Sequence, residues 1–265
     1  MILDVFSSMT PQEVLDCTSG FKFSGEHSIA VLLGGFCKAD ELDALSHNYD
    51  ATGVVAFKRA IKTLSARYSR VLLVLDYSDI SQSDLSHAPR LISSQVSNHA
   101  NVHVLQNRSI DLDGYQFWGT TLFSSFESLP RYVTERDVID TLPKMRCFRR
   151  DVSLRDIQTY HYDALNRLDA DRQMLTRLRR RNECVPKKLV ILTPISPIES
   201  VVSRPFVANS LRDFIQYRTQ DIGHWITAQA LKIEDNLVHH TRVSGLRAFQ
   251  CGTNAKARFR QFIFK

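Results

Sequence analysis

The sequence predicts an α/β fold, a single domain built around two sheets, and three observations lead there. Short β-branched runs recur along the chain, a helix-period segment separates two of them, and no linker, internal repeat or low-complexity segment divides residues 1–265. "SIAVLLGG" (28–35) and "RVLLVLD" (70–76) have the composition of buried strands. Between them Val54, Val55, Phe57, Ala60, Ile61, Leu64 and Tyr68 recur at the helical spacing of about 3.6 residues, with Thr52 as the start. A helix between two such runs is a βαβ unit, which makes the two strands parallel neighbours.

The remaining elements follow in order. "SQSDLSHAPRLISSQVSNH" (81–99) suits an exposed helix by the spacing of its Leu, Ile and Val residues. Residues 101–123 carry three strand-like runs joined by the polar turns "NRS" and "LDGYQ", with Gly114 available for a positive φ, and so predict an antiparallel meander. From Asp151 to about Arg181 the pattern is a long amphipathic helix whose core-facing set is Leu154, Ile157, Leu165, Leu168, Leu175 and Leu178. "KLVILT" (188–193) returns to the sheet, "PFVANSLRDFIQYR" (205–218) predicts another helix, and "LVHHTRV" (237–243) and "RAFQC" (247–251) are strands. Trp118 and Trp225 belong to the core.

Charge and composition bound the partners. Lys and Arg number 34 against 28 Asp and Glu, a net charge of +6 and a pI near 9.1, so the surface tilts mildly towards acidic partners. The densest basic cluster is "LTRLRRRNECVPKK", with Arg177, Arg179, Arg180, Arg181, Lys187 and Lys188. It reads either as a helix C-terminus whose cations complement the macrodipole or as a patch for an acidic partner. The five cysteines are an odd number with no CxxC pair, which excludes a zinc ribbon and a dithiol redox motif and suits a reducing, cytoplasmic setting. "MILDVFSSMTPQ" has no basic and apolar leader pattern, and no run approaches the roughly 18 apolar residues of a membrane span. No membrane association is expected.

In the order of its elements, and most specifically in "VHVLQNRSIDLDGYQFWGTTLFSSF" (102–126), the chain resembles the calcineurin-like metallophosphoesterases. The resemblance implies a four-layer αββα sandwich of two mixed sheets flanked by helices. Family members hold two divalent metals on Asp, Asn and His side chains from four strand-end motifs and one late turn, so that a bridging hydroxide attacks phosphorus. At the matching positions this chain carries Ser8 and Thr10, then Gly35, then Tyr77 and Ser78, then Pro194 and Ile195, then Gln229 and Leu231. Glycine, proline, isoleucine and leucine offer no ligand, and hydroxyls alone are poor ones. The resemblance therefore implies vestigial active-site positions, no metal cofactor and no catalysis.

The expected function is that of a metallophosphoesterase-like pseudoenzyme acting as a protein-interaction or regulatory subunit. Two alternatives stay open. Nucleic acid is the partner in the first, bound through Arg146, Arg149 and Arg150, the 177–188 cluster and "AKARFRQFIFK" at the end of the sequence. A hydrolase with a rebuilt site is the second, using Asp40, Asp76 and Asp79, of which Asp76 and Asp79 otherwise read as loop caps. His239 and His240 are adjacent on a strand and point to opposite faces, and Ser78 has no histidine that spacing can assign to it.

Overall fold

The computed structural model describes residues 1–7, 9–19, 28–44, 52–80, 84–121, 126, 133–144, 151–180, 188–194, 239–243, 246–248 and 259–263. In chain order these form β1 (Ile2–Ser7), α1 (Pro11–Ser19), β2 (Ser28–Leu33), α2 (Ala39–Ala44), α3 (Thr52–Arg67), β3 (Arg70–Val74), α4 (Tyr77–Ile80), α5 (Ala88–Val96) and β4 (Val102–Val104). They continue with β5 (Arg108–Leu112), β6 (Tyr115–Gly119), α6 (Glu135–Thr141), a 3₁₀ turn (Leu142–Lys144) and α7 (Leu154–Arg180). The last described elements are β7 (Lys188–Leu192), β8 (His239–Val243), β9 (Leu246–Ala248) and β10 (Phe259–Ile263). The chain divides into two compact units, Met1–Gln106 with Arg146–Arg149 and Cys251–Lys265, and Asn107–Met145 with Arg150–Gln250.

The first unit holds a five-stranded sheet in the order β10-β1-β2-β3-β4. β1 to β4 run parallel, as the βαβ reading requires, and β10 closes the edge antiparallel to β1, pairing Ile2 with Ile263 and Phe6 with Phe259. β2 and β3 are buried on both faces, which explains their unbroken apolar runs. α3 turns Val54, Phe57, Ala60, Ile61 and Leu64 inward, and Phe57 stacks on Phe36 with ring centroids 6.0 Å apart. α5 likewise buries Ala88, Ile92 and Val96, so this segment has a core face and is not simply an exposed helix.

A charged side chain is buried inside this sheet. Asp4 lies in the middle of β1, where it accepts hydrogen bonds from the Tyr68 hydroxyl and from Gln261 Nε2, both at 2.8 Å. The pair ties the end of α3 and the edge strand β10 to the sheet, and burial followed by the bond to Asp4 pushes the Tyr68 phenol up.

In the second unit β5 pairs antiparallel with β6 and β6 parallel with β7, while β8 and β9 form a short antiparallel ribbon. The β5–β6 turn is Asp113-Gly114, at φ +50° and +80°, a two-residue connection of the kind that Asp-Gly favours. The predicted meander is corrected here. β4 does not join the hairpin: it pairs with β3 in the other sheet, and the chain crosses between sheets at Leu105-Gln106-Asn107, where Asn107 takes φ +53° and donates its N–H to Gly119. A turn-rich sequence specifies where strands end but not which neighbour each one meets.

α7 runs from a Ser153–Asp156 capping box, and the same device, Thr134–Asp137, opens α6 and holds the Asp137 carboxyl below the usual range. Leu154, Ile157 and Leu168 are buried as expected, but His161 and Ala164 complete the buried stripe and Leu165 is only half-buried. The register of 154, 157, 161, 164 and 168 is the regular heptad spacing, broken in the sequence by a histidine that the apolar pattern passes over. Trp118 is core; Trp225 and the 205–218 helix lie outside the described residues. Among the described residues no helix is long and apolar enough to cross a membrane.

Two substitutions test these supports in urea denaturation. Gly114→Ala meets no atom within 4 Å of the new β-carbon, so its loss of about 1–2 kcal/mol is backbone strain alone. Tyr68→Phe strips a buried carboxylate of one donor and is expected to lower stability by about 1–3 kcal/mol. An unchanged midpoint in either variant would contradict the assigned role.

Candidate functional site

The parallel strands β2 and β3 end side by side, and their loops meet over one carboxylate. After β2 the chain turns through Gly34 and Gly35, both at positive φ, and Gly34 N–H continues the ladder to the Val74 carbonyl at 2.9 Å. A β-carbon on Gly34 would collide with the carboxylate of Asp76, so the position is confined to glycine by both space and backbone. After β3, Asp76 Oδ1 accepts from Ser78 N at 2.7 Å, Ser78 Oγ at 2.6 Å and Asp79 N at 3.2 Å, which starts the single turn of α4.

Asp79 is fully buried and faces the β2 loop. Its Oδ2 accepts from Gly35 N and from Asp76 N, both at 3.0 Å, and its Oδ1 accepts from Cys37 N at 2.8 Å. Burial, then the neighbouring Asp76 charge, push the Asp79 carboxyl well up against the opposing pull of the three backbone donors. The Cys37 thiol, buried beside it, is pushed far up by burial, then by Asp79, Glu41 and Asp40, so it is no thiolate nucleophile.

The residues matched to the vestigial motifs fall as follows. Gly35, Tyr77 and Ser78 come together at these strand ends; Tyr77 is buried and the Ser78 hydroxyl is turned onto Asp76. Thr10 caps α1, exchanging hydrogen bonds with Glu13 at 2.8–3.3 Å. Pro194 follows β7 in the second unit, where Thr193 Oγ1 donates to the Thr121 carbonyl at 3.3 Å. Ser8, Ile195, Gln229 and Leu231 lie outside the described residues. Of the basic cluster, Arg177 is exposed on α7, Arg179 and Arg180 lie in its last turn, Lys188 begins β7, and Arg181 and Lys187 lie outside the described residues.

These groups do not fit a dinuclear metal centre. Gly35 and Pro194 have no ligand atom, and every oxygen of Asp79 together with Asp76 Oδ1 is already engaged by N–H or O–H donors. Among the described residues no set of three or more His, Cys, Asp or Glu side chains could hold a metal. Asp76 and Asp79 do cap loops, as the sequence reading allowed. The inward turn of Asp79 and the part played by Gly34 and Cys37 were not read from the sequence; the Gly-Gly pair directly after a buried strand was the available signal.

The fold, set against solved structures, is similar to that of phosphopantetheinyl hydrolase (PptH) from Mycobacterium tuberculosis: TM-score 0.58 at 11% identity, over 98% of this chain and 95% of that one. The likeness is one of fold, a mixed α/β arrangement of sheets and helices. A second solved structure overlaps at a TM-score of 0.41 and 12% identity, over 90% of this chain and 83% of the other, too loosely to define a shared fold. No protein-family model and no curated protein matches the sequence.

The raised Asp79 carboxyl sets a pH dependence. Above about pH 4 the unfolded chain has lost this proton while the folded chain keeps it, so the contribution to stability is complete below about pH 4 and is lost as pH rises through the folded value. Asp79→Asn is expected to flatten stability against pH over that range, measured by urea titration at several pH values. Asp79→Ala, which leaves three buried N–H groups without an acceptor, is expected to lose at least about 2 kcal/mol throughout. A parent and Asp79→Asn variant with parallel pH profiles would contradict the assignment.

Proposed function

We propose that this chain is a metallophosphoesterase-like scaffold, a four-layer αββα sandwich, that works without dinuclear metal chemistry as a protein-interaction or regulatory subunit. The carrying observation is Asp79. Where the resembled enzymes bring metal ligands to the ends of two parallel strands, this carboxylate is turned inward and spent on the backbone of both loops. Gly35, Tyr77, Ser78 and Pro194 then present no ligand set. PptH is named a hydrolase, while the metal-dependent hydrolysis that the family resemblance implies would require ligands that the described positions do not supply. The basic cluster that begins at Arg177 offers an acidic protein surface a docking face, at a helix end already suited to cations. A cytoplasmic setting agrees with the odd number and wide spacing of the cysteines.

Metal analysis of the purified full-length chain tests this directly. Far less than one equivalent of iron, manganese or zinc is expected, with no manganese-stimulated hydrolysis of bis(p-nitrophenyl) phosphate and a stoichiometric protein partner in pull-downs. Two equivalents of metal, with hydrolysis abolished by Asp76→Ala, would overturn the reading. Salt-sensitive oligonucleotide binding at about 50 mM salt would replace it with the nucleic-acid alternative.

A further inference from the structure

The second unit carries a polar cluster that none of the preceding chemistry uses. Alternation along the hairpin puts Ser109 and Asp111 of β5 on one face with Gln116 and Trp118 of β6, because Ser109 pairs with Trp118 and Asp111 with Gln116 in the antiparallel register. α7 supplies Asp171 to this face: Ser109 Oγ donates to Asp171 Oδ2 at 3.0 Å. Gln116 Nε2 donates to the same Ser109 oxygen at 3.3 Å. The hydroxyl hydrogen of Ser109 is committed to Asp171, so the Gln116 atom that faces Ser109 has to be the NH₂ group, and the amide oxygen is left over.

That oxygen is the telling atom. Gln116 is 6% exposed, and its Oε1 is buried with no hydrogen-bond partner among the described residues. A buried amide oxygen without a donor is costly to leave unmatched. Beside it stand two carboxylates, neither in an ion pair among the described residues. Burial and then the Asp171 charge push the Asp111 carboxyl up, which marks the two as close and mutually repelling. The cluster thus offers carboxylate, amide and hydroxyl oxygens, with no ion-paired cation among the described residues.

We propose that Asp111, Asp171, Gln116 Oε1 and Ser109 Oγ form a binding site for a hard divalent cation, calcium, between the β5–β6 hairpin and α7. All four ligands are oxygens, and calcium tolerates the irregular geometry and the retained waters that so small a set requires. The indole N–H of Trp118, buried on the same face and also without a partner among the described residues, cannot face the cation and is suited to an oxygen of its hydration shell. Asp111 faces solvent and leaves the cation a route in. Two carboxylates and two neutral oxygens place the affinity at about 10⁻⁴–10⁻³ M.

Thermal unfolding of the full chain reads the site, with potassium chloride matched in ionic strength as the control. Calcium chloride at about 10 mM is expected to raise the midpoint by about 3 °C or more beyond the control. Asp111→Asn is expected to abolish that rise while unfolding, calcium-free, at or above the parent's midpoint because the repulsion is gone. Gln116→Leu, which keeps the volume and removes the buried oxygen, gives an independent loss of response. No rise in the parent beyond potassium chloride, as for a cluster that holds only water, overturns the proposal. So does a full parental response in either variant.

Discussion

The carboxylate of Asp79 collects the backbone N–H groups of Gly35, Cys37 and Asp76 from the loops that leave two neighbouring parallel strands. Three backbone donors on its two oxygens are what allow this carboxyl group to sit fully buried. The rest of the loop architecture depends on it. Gly34 and Gly35 adopt left-handed conformations that bring their backbone over α4, Asp76 packs where a side chain on Gly34 would stand, and Cys37 is held in a setting that keeps its thiol protonated. A cation at these strand ends would compete with that network, since it would need the same oxygens that now hold the two loops together.

The sheets show the same economy of polar groups. In the first unit Asp4 is the interior acceptor that joins β1, β10 and the residue after α3. Apolar strands pack against almost anything apolar, whereas a buried carboxylate accepts only an arrangement that brings its donors, so it narrows the register of the edge strand. In the second unit the polar face of the hairpin does not close on itself. Ser109, Asp171 and Gln116 are linked, yet the Gln116 oxygen is left over, and two like charges stay close. Unsatisfied polar groups are rare in folded interiors, and the Gln116 oxygen beneath α7 marks a place where the second unit is chemically unfinished.

Much of the fold was legible because it is local. β2, β3 and β7 carry continuous apolar runs, α3 follows its spacing from Thr52, and the Asp113-Gly114 turn is written in two residues whose backbone tolerance is intrinsic. Capping pairs such as Thr10 with Glu13 and Ser153 with Asp156 carry their own signal three residues apart. His161 escaped the reading of α7 because a histidine does not announce a buried position, though its place in the heptad stripe could have. β10 escaped because its partner, β1, lies at the other end of the sequence.

What the sequence determined by itself is therefore the kind and extent of most elements and the side-chain chemistry available at each position of the candidate site. Both follow from the chemistry of single residues and their near neighbours. Only the tertiary structure decided that β4 leaves the hairpin for the parallel sheet and that Asp79 turns inward onto two loops. It alone brought Asp171 to Ser109 across 62 positions. Those outcomes depend on which distant backbone donors and which sheet edge lie within hydrogen-bonding reach, a property that exists only once the chain has folded.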